Sequence, residues 1–131
     1  MRVLALAIGA AMIIGPQALA ADAGLERSLQ LLTPSERLLQ LCDYTAMNDI
    51  RKDKDARHFR PDRTVAGAMS EPQLQNDTVT AKGAAFRSRG KWYAVSYTCT
   101  GTPDHMKILS FQYKLGAEIP ATQWAAFGLF Q

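Results

Sequence analysis

The sequence is poor in the residues and motifs that most enzyme classes require. It contains two cysteines and two histidines in 131 residues. It has no Gly-rich phosphate loop, no GxSxG elbow around a nucleophilic serine and no HExxH zinc motif. Asp43 and Asp49 are six residues apart on a predicted helix and do not share a face as a carboxylate pair. The sequence therefore assigns no catalytic residue.

The histidines, His58 and His105, do not indicate a metal site. A metal site needs further ligands at a readable spacing, and neither histidine has them. We expect both side chains at the protein surface and expect no cofactor.

An excess of charge of one sign is also absent. The chain carries 15 Lys and Arg against 12 Asp and Glu, a formal net charge of +3. A dedicated nucleic-acid binder would show a strongly basic domain, so this class is excluded. After the N-terminal segment, no apolar stretch is long enough to cross a membrane.

The N-terminal segment has the layout of a secretory signal peptide. Arg2 precedes an apolar run over residues 3–14, and Ala18-Leu19-Ala20 matches the small-x-small pattern of a signal-peptidase site. We expect cleavage after Ala20, which leaves one domain at residues 21–131 in the periplasm. An uncleaved anchor or a buried helix is the alternative.

The two cysteines predict a disulfide. An even cysteine count in an exported chain is typical of a bridge, and Cys42 and Cys99 allow only one intramolecular pairing. Closing so long a loop stabilises a fold by roughly 4 kcal/mol in the chain-entropy model. The bridge leaves no free thiol to act as a nucleophile.

Leucine spacing predicts two helices in the first half of the domain. Leu25, Leu29 and Leu32 recur at helical spacing. Thr33, with Pro34 and Glu36 after it, predicts the start of the main helix, whose stripe includes Cys42 and which closes over residues 51–57. Residues 58–77 predict mostly loop, with an edge strand near residues 64–68.

From residue 78 the apolar period changes to two and predicts three strands, at residues 78–88, 91–100 and 105–115. Arg89-Gly90 forms the first turn and residues 101–104 form the second. We expect an α+β fold: one main helix on an antiparallel meander of three or four strands, a short C-terminal helix and one helix-to-sheet disulfide.

The first turn fixes which side chains share a face. With Arg87 opposite Trp92, one face carries Phe86, Tyr93, Val95, Tyr97 and Cys99. The main helix covers this face and brings Cys42 to Cys99. Lys82 is expected opposite Tyr97 on the same face.

The second turn sets the third strand. Four loop residues would place Thr100 opposite His105, and Phe111 and Tyr113 beside Trp92 under a C-terminal helix that carries Trp124 and Phe127. A turn one residue longer would exchange these faces.

The hairpin tip is the candidate binding surface. Arg87, Arg89, Lys91 and Trp92 lie there, and the hairpin supplies no acidic residue to balance them. An anionic glycan, a lipid head group or an acidic protein would fit this surface. The alternative is a solvated tip on which Arg87 stacks on Trp92 as an ordinary cation–π pair.

Four segments together resemble domain-of-unknown-function family 930, secreted proteins of rhizobial alphaproteobacteria. They are LLQLCDYTAMNDI, GAAFRSRGKWYAVSYTC, KILSFQYKLGAEIP and QWAAFGLF. The resemblance covers residues 31–130 and implies a shared fold and a periplasmic setting. It supplies no catalytic residues, because the family has none assigned.

The expected function is a non-catalytic periplasmic protein that binds a cell-envelope component or a partner protein. The alternative is a periplasmic enzyme or enzyme inhibitor that acts on envelope polymers. A deep pocket lined by two or more carboxylates would favour the enzyme, and a basic, aromatic rim would favour the binding protein.

Overall fold

The computed structural model describes residues 19–54 and 58–131, with side chains from residue 23 onward. Nearly all of the predicted signal peptide lies outside the described residues, so export stays a prediction. Among the residues described, no helix is both long enough and apolar enough to cross a membrane.

Two helices form the N-terminal part, as the leucine spacing predicted. α1 spans Leu19–Gln30 and α2 spans Pro34–Lys52. A capping box fixes the start of α2: the Thr33 hydroxyl accepts from the Glu36 backbone N–H, and the Glu36 carboxylate accepts from the Thr33 N–H. The predicted apolar stripe of α2 is buried, and it consists of Leu38, Leu41, Cys42, Ala46 and Ile50.

Five strands form one antiparallel sheet in the order β1-β3-β4-β5, with β2 beside β3. Their bounds are Pro61–Val65, Gln73–Gln75, Thr78–Ser88, Lys91–Gly101 and Ile108–Glu118. The predicted edge strand exists but begins three residues earlier. Pro61 takes the first position of this edge strand, where its missing N–H costs no ladder bond.

The register of the central hairpin is as predicted near the turn and wrong further away. Ser88 pairs with Lys91 and Arg87 with Trp92. A bulge between Ala81 and Ala84 then places Ala81, not Lys82, opposite Tyr97. Lys82 is exposed. The bulge adds residues to one strand only, which shifts its side chains relative to the partner strand.

The predicted pairing of the last strand is wrong. Thr100 pairs with Ser110, not with His105, because the loop after β4 runs over residues 102–107. Asp104 organises this loop by accepting from the Thr102 hydroxyl and the Met106 N–H. The longer loop moves Phe111 and Tyr113 to the opposite face, where Phe111 lies opposite Cys99.

The main core lies between α2 and the inner sheet face. Cys42 and Cys99 are both fully buried and joined by the predicted disulfide, with their Cα atoms 6.0 Å apart. Phe111 and Tyr113 pack against this core. The predicted α+β architecture, with one helix-to-sheet bridge, is therefore confirmed.

A second, smaller core lies on the outer face around Trp92. The predicted C-terminal helix is present as α3, Ala121–Trp124, followed by a 3₁₀ turn over Ala125–Phe127. Gly128 ends it with a φ of 66°. The Trp92 indole donates to the Phe130 carbonyl at 2.8 Å, and Trp124 and Phe127 pack against the same cluster. Trp92 is therefore part of the fold.

Candidate functional site

The hairpin turn has the backbone that its sequence predicted. Arg89 and Gly90 both have positive φ angles, 51° and 77°. This combination is required at the two central positions of a type I′ turn, which matches the twist of the flanking strands. Arg87 and Lys91, on either side of the turn, lie on opposite faces of the hairpin, because Arg87 pairs with Trp92 and Lys91 pairs with Ser88.

Arg87 and Trp92, two of the four predicted binding residues, are engaged with other parts of the fold. The Arg87 guanidinium donates to both carboxylate oxygens of Asp62, at 2.9 and 3.1 Å. Its carbon lies 5.7 Å from the Trp92 ring centroid. The contact with Arg87 holds the pKa of the Asp62 carboxyl below its ordinary value. β1 thus supplies a carboxylate that the hairpin itself lacks.

Arg89 and Lys91, the other two predicted residues, lie together at a depression of about 280 Å³. The segment before β1 completes it, because His58 and Phe59 line the depression opposite the hairpin. The full lining consists of His58, Phe59, Ser88, Arg89, Lys91 and Tyr93. The rim is therefore basic and the wall aromatic.

Three packed rings make the aromatic wall rigid. Phe59 meets Phe86 edge to face at 5.1 Å and meets Tyr93 at 4.7 Å, while Phe86 and Tyr93 stack at 5.3 Å. Such aromatic pairs contribute about 0.5–1.5 kcal/mol each beyond their burial. Phe86 is fully buried, so the wall belongs to the main core.

The cations on the rim are weakly compensated. Within the described ranges, no carboxylate lies within ion-pair distance of Arg89. Lys91 has one acidic neighbour, Glu118 at 3.8 Å, and both of these side chains are at least half exposed. Ion pairs of this kind contribute little because water screens them. The rim therefore presents net positive charge to a ligand.

A second candidate site is a groove of about 540 Å³ between α2 and β1. Asp43 of α2 lines it, and its carboxylate accepts from the Tyr97 hydroxyl at 3.0 Å and from the Ala66 backbone N–H. Burial raises the pKa of Asp43 to about 7, although both hydrogen bonds act to lower it. No spacing pattern in the sequence marked this residue.

His105 is not the surface histidine that the sequence predicted. It is buried, its Nδ1 lies 2.6 Å from the Pro34 carbonyl, and its Nε2 lies 2.9 Å from Asp77 Oδ1. The ring ties the loop after β4 to the start of α2, which is a structural role. His58 is exposed, as predicted.

In the part of the chain that the structure describes, no group of three or more His, Cys, Asp or Glu side chains is placed to hold a metal ion. Both cysteines are in the disulfide.

Comparisons with known proteins give a family and no function. No curated protein and no solved structure matches the chain. One family model matches residues 29–129, which span α2, the whole sheet and the C-terminal helix. The chain therefore belongs to the family described as Domain of Unknown Function 930, DUF930.

Proposed function

We propose that this protein is a non-catalytic binding protein of the bacterial periplasm that takes an anionic envelope component or an acidic partner protein at the hairpin depression. One observation carries the proposal: Arg89 and Lys91 share a depression with His58 and an aromatic wall. Cations beside aromatic rings suit a ligand that has an anionic group and an apolar or ring-shaped body.

Rigidity supports binding at this site. The strands β3 and β4 hold Arg89 and Lys91 through the tight turn, and the three-ring cluster fixes the wall. The fixed wall loses little side-chain entropy when a ligand binds, whereas the exposed side chains of Arg89 and Lys91 become ordered only on binding. Arg87 is bound to Asp62, and Trp92 is packed in the outer core. The groups that contact the ligand are therefore Arg89, Lys91 and His58.

Periplasmic location and an alphaproteobacterial source are part of the same proposal. They rest on the signal-peptide layout and on the resemblance of the sequence. The expected mature protein begins at Ala21. Intact-mass measurement of the protein from a periplasmic fraction checks this, and a soluble protein that retains Met1 would contradict export.

Binding to two defined anionic probes tests the function. We would measure cosedimentation with phosphatidylglycerol-containing vesicles and binding of soluble polyglutamate over a salt series. The double variant Arg89→Glu, Lys91→Glu should bind about tenfold more weakly or worse, since each surface cation near an anionic surface is worth about 1 kcal/mol. The loss should be largest at low salt.

The matched control reverses two exposed cations elsewhere. Lys82→Glu with Lys114→Glu makes the same change of net charge on the outer face of the sheet. It should retain most of the binding. An equal loss in both double variants would show that net charge alone drives binding, and no binding of either probe by the unaltered protein would oppose the proposed ligand class.

A second candidate function, an enzyme or an enzyme inhibitor acting on envelope polymers, is favoured by one observation. Asp43 and Asp62 both line the α2–β1 groove, and Asp43 has a pKa suited to a general acid or base. Asp62 is held by Arg87, however, which opposes a two-carboxylate mechanism. Hydrolysis of purified peptidoglycan that Asp43→Asn abolishes would favour the enzyme.

A further inference from the structure

The α2–β1 groove has the size and walls of a small-molecule site. Its volume of about 540 Å³ is within the range of roughly 300–1,000 Å³ for such sites. One wall is helical and the other is the edge strand β1. Apolar and aromatic residues in the lining include Leu25, Leu39, Tyr44, Met47 and Pro72.

Asp43 places an uncompensated carboxylate in this groove. Both of its hydrogen-bond donors, the Tyr97 hydroxyl and the Ala66 N–H, are neutral. Within residues 23–54 and 58–131, no cation lies within ion-pair distance of it. A half-buried carboxylate without a positive partner is costly to keep ionised, and a cationic ligand would remove that cost.

A second group in the groove also lacks a partner. Thr64 lines the groove from β1 and is nine-tenths buried. Its hydroxyl has no hydrogen-bond partner among the described residues. That oxygen has almost no accessible surface, so a ligand in the groove does not reach it and the carboxylate of Asp43 is the polar group that meets the ligand.

The other charged groups around Asp43 do not supply the missing cation. From β1, Asp62 is bound to Arg87, and Arg63 is exposed and forms no ion pair with Asp43. The neighbours from the other elements are not cations: β4 supplies Tyr97, α2 supplies Tyr44 and α1 supplies Leu25.

We propose that the groove binds a small organic ammonium ligand, with its ammonium group on Asp43 and its aliphatic body along the apolar walls. Charge complementarity selects the ammonium group, and the volume selects a small molecule. This site is separate from the hairpin depression, so the proposal does not depend on the function proposed there.

The test compares hexylammonium with 1-hexanol, which has the same aliphatic body and no charge. Both would be titrated into the full chain at pH 8, with the methyl signal of Met47 followed by NMR to locate binding. We expect hexylammonium to bind at least about tenfold more tightly than hexanol, because a hydrogen bond to a charged group contributes at least this much binding free energy. Asp43→Asn should remove this preference.

Two controls separate a binding role from a structural one. Asp49→Asn removes a carboxylate from the same helix outside the groove lining and should keep the preference. At pH 6, hexylammonium binding to the unaltered protein should release protons, since a bound cation favours the ionised form of Asp43. The double variant Arg89→Glu, Lys91→Glu should bind hexylammonium as the unaltered protein does.

Equal affinity for hexanol and hexylammonium would overturn the proposal. So would a preference that survives Asp43→Asn, or tighter binding of hexanoate. Binding of a lysine side chain in a peptide but not of hexylammonium would assign the groove to a protein partner instead. The comparison of ligands on the unaltered protein decides the question even if Asp43→Asn fails to fold.

Discussion

Asp43 and Tyr97 join the long helix to the central hairpin immediately beside the disulfide. The Tyr97 hydroxyl donates to Asp43 Oδ1 at 3.0 Å. Asp43 directly follows Cys42 in α2, and Tyr97 lies two residues before Cys99 in β4. The hydrogen bond and the bridge therefore act as two adjacent links between the same elements. The hydrogen bond differs from the bridge in that it depends on a carboxyl group, Asp43, whose pKa burial raises.

That link predicts how stability depends on pH. The pKa of Asp43 rises from an ordinary 3.8 to about 7 on folding, so between these values the native state binds more protons than the unfolded state. The contribution of Asp43 to the free energy of unfolding is therefore greatest below pH 4, falls as the pH rises to 7 and is constant above that. The total change is about 4 kcal/mol at 1.36 kcal/mol per pH unit.

Asp43→Asn isolates this contribution from the other carboxylates. Urea melts at pH 4 to 8 would measure the free energy of unfolding of both proteins. As pH rises, the unaltered protein should lose stability relative to the variant. Asp49→Asn, which removes a carboxylate from the same helix outside the groove lining, is the control for the loss of one negative charge. A pH-independent difference for Asp43→Asn would mean that Asp43 titrates at its ordinary value.

Local chemistry made most of the fold predictable. The capping box at Thr33 and the Arg89-Gly90 turn each depend on residues within one turn of each other, so the bounds of β3 and the start of α2 follow from the sequence. The disulfide followed from the cysteine count and from the faces of α2 and β4. These signals agree with one another, as expected of a natural sequence.

The errors occurred where distant residues decide the backbone. The loop after β4 is held by His105, whose partners are Pro34 and Asp77, and no local pattern reveals them. The bulge in β3 packs Gly83 so closely on Ser70 that an added Cβ would lie 2.5 Å from the Ser70 backbone nitrogen. Both features moved side chains that periodicity had placed elsewhere.

The candidate sites were only half predictable for the same reason. Arg89 lies in a local turn and Lys91 directly follows it, so the sequence located both at the tip of the hairpin. His58 and Phe59 reach the depression from a segment that sequence patterns described only as loop. Asp43 follows a buried cysteine on α2, which gives it partial burial, but its contact with β4 appears only once the helix is docked.

His105 should contribute to stability, whereas His58 should not. The two ring nitrogens of His105 lie within hydrogen-bond distance of the Pro34 carbonyl and of Asp77 Oδ1. His105→Asn loses at least one buried hydrogen bond and should lower the free energy of unfolding by about 1–3 kcal/mol. Chemical denaturation measures this.

His58→Asn is a matched control for that experiment. His58 and His105 both have positive φ angles, 55° and 59°, and asparagine tolerates this conformation. Since His58 is exposed, its variant should change stability by less than about 0.5 kcal/mol. Similar losses for the two variants would show that the backbone, and not the buried ring, sets the cost.

Removal of the disulfide should cost about 2–5 kcal/mol, the usual range for a native bridge in a small domain. Cys42 and Cys99 are 57 residues apart and fully buried. The double variant Cys42→Ala, Cys99→Ala avoids leaving a buried hydroxyl or a reactive thiol. Urea melts measure the cost, and thiol titration of the denatured, unreduced parent should find no free thiol. Two free thiols would refute the bridge.

The hairpin tip separates the demands of the backbone from those of charge. Arg89→Glu reverses a charge that has no ion-pair partner in the described structure, so it should change stability by less than about 0.5 kcal/mol. Gly90→Val forces a β-branched residue to a φ of 77° and should cost about 1 kcal/mol or more. Arg89→Asn keeps the turn and should stabilise it slightly, because Asn-Gly is the preferred type I′ pair. If Arg89→Glu lowered stability more than Gly90→Val in urea melts, the charge at the tip would stabilise the fold. A ligand that binds the rim cations would then compete with that stabilising role.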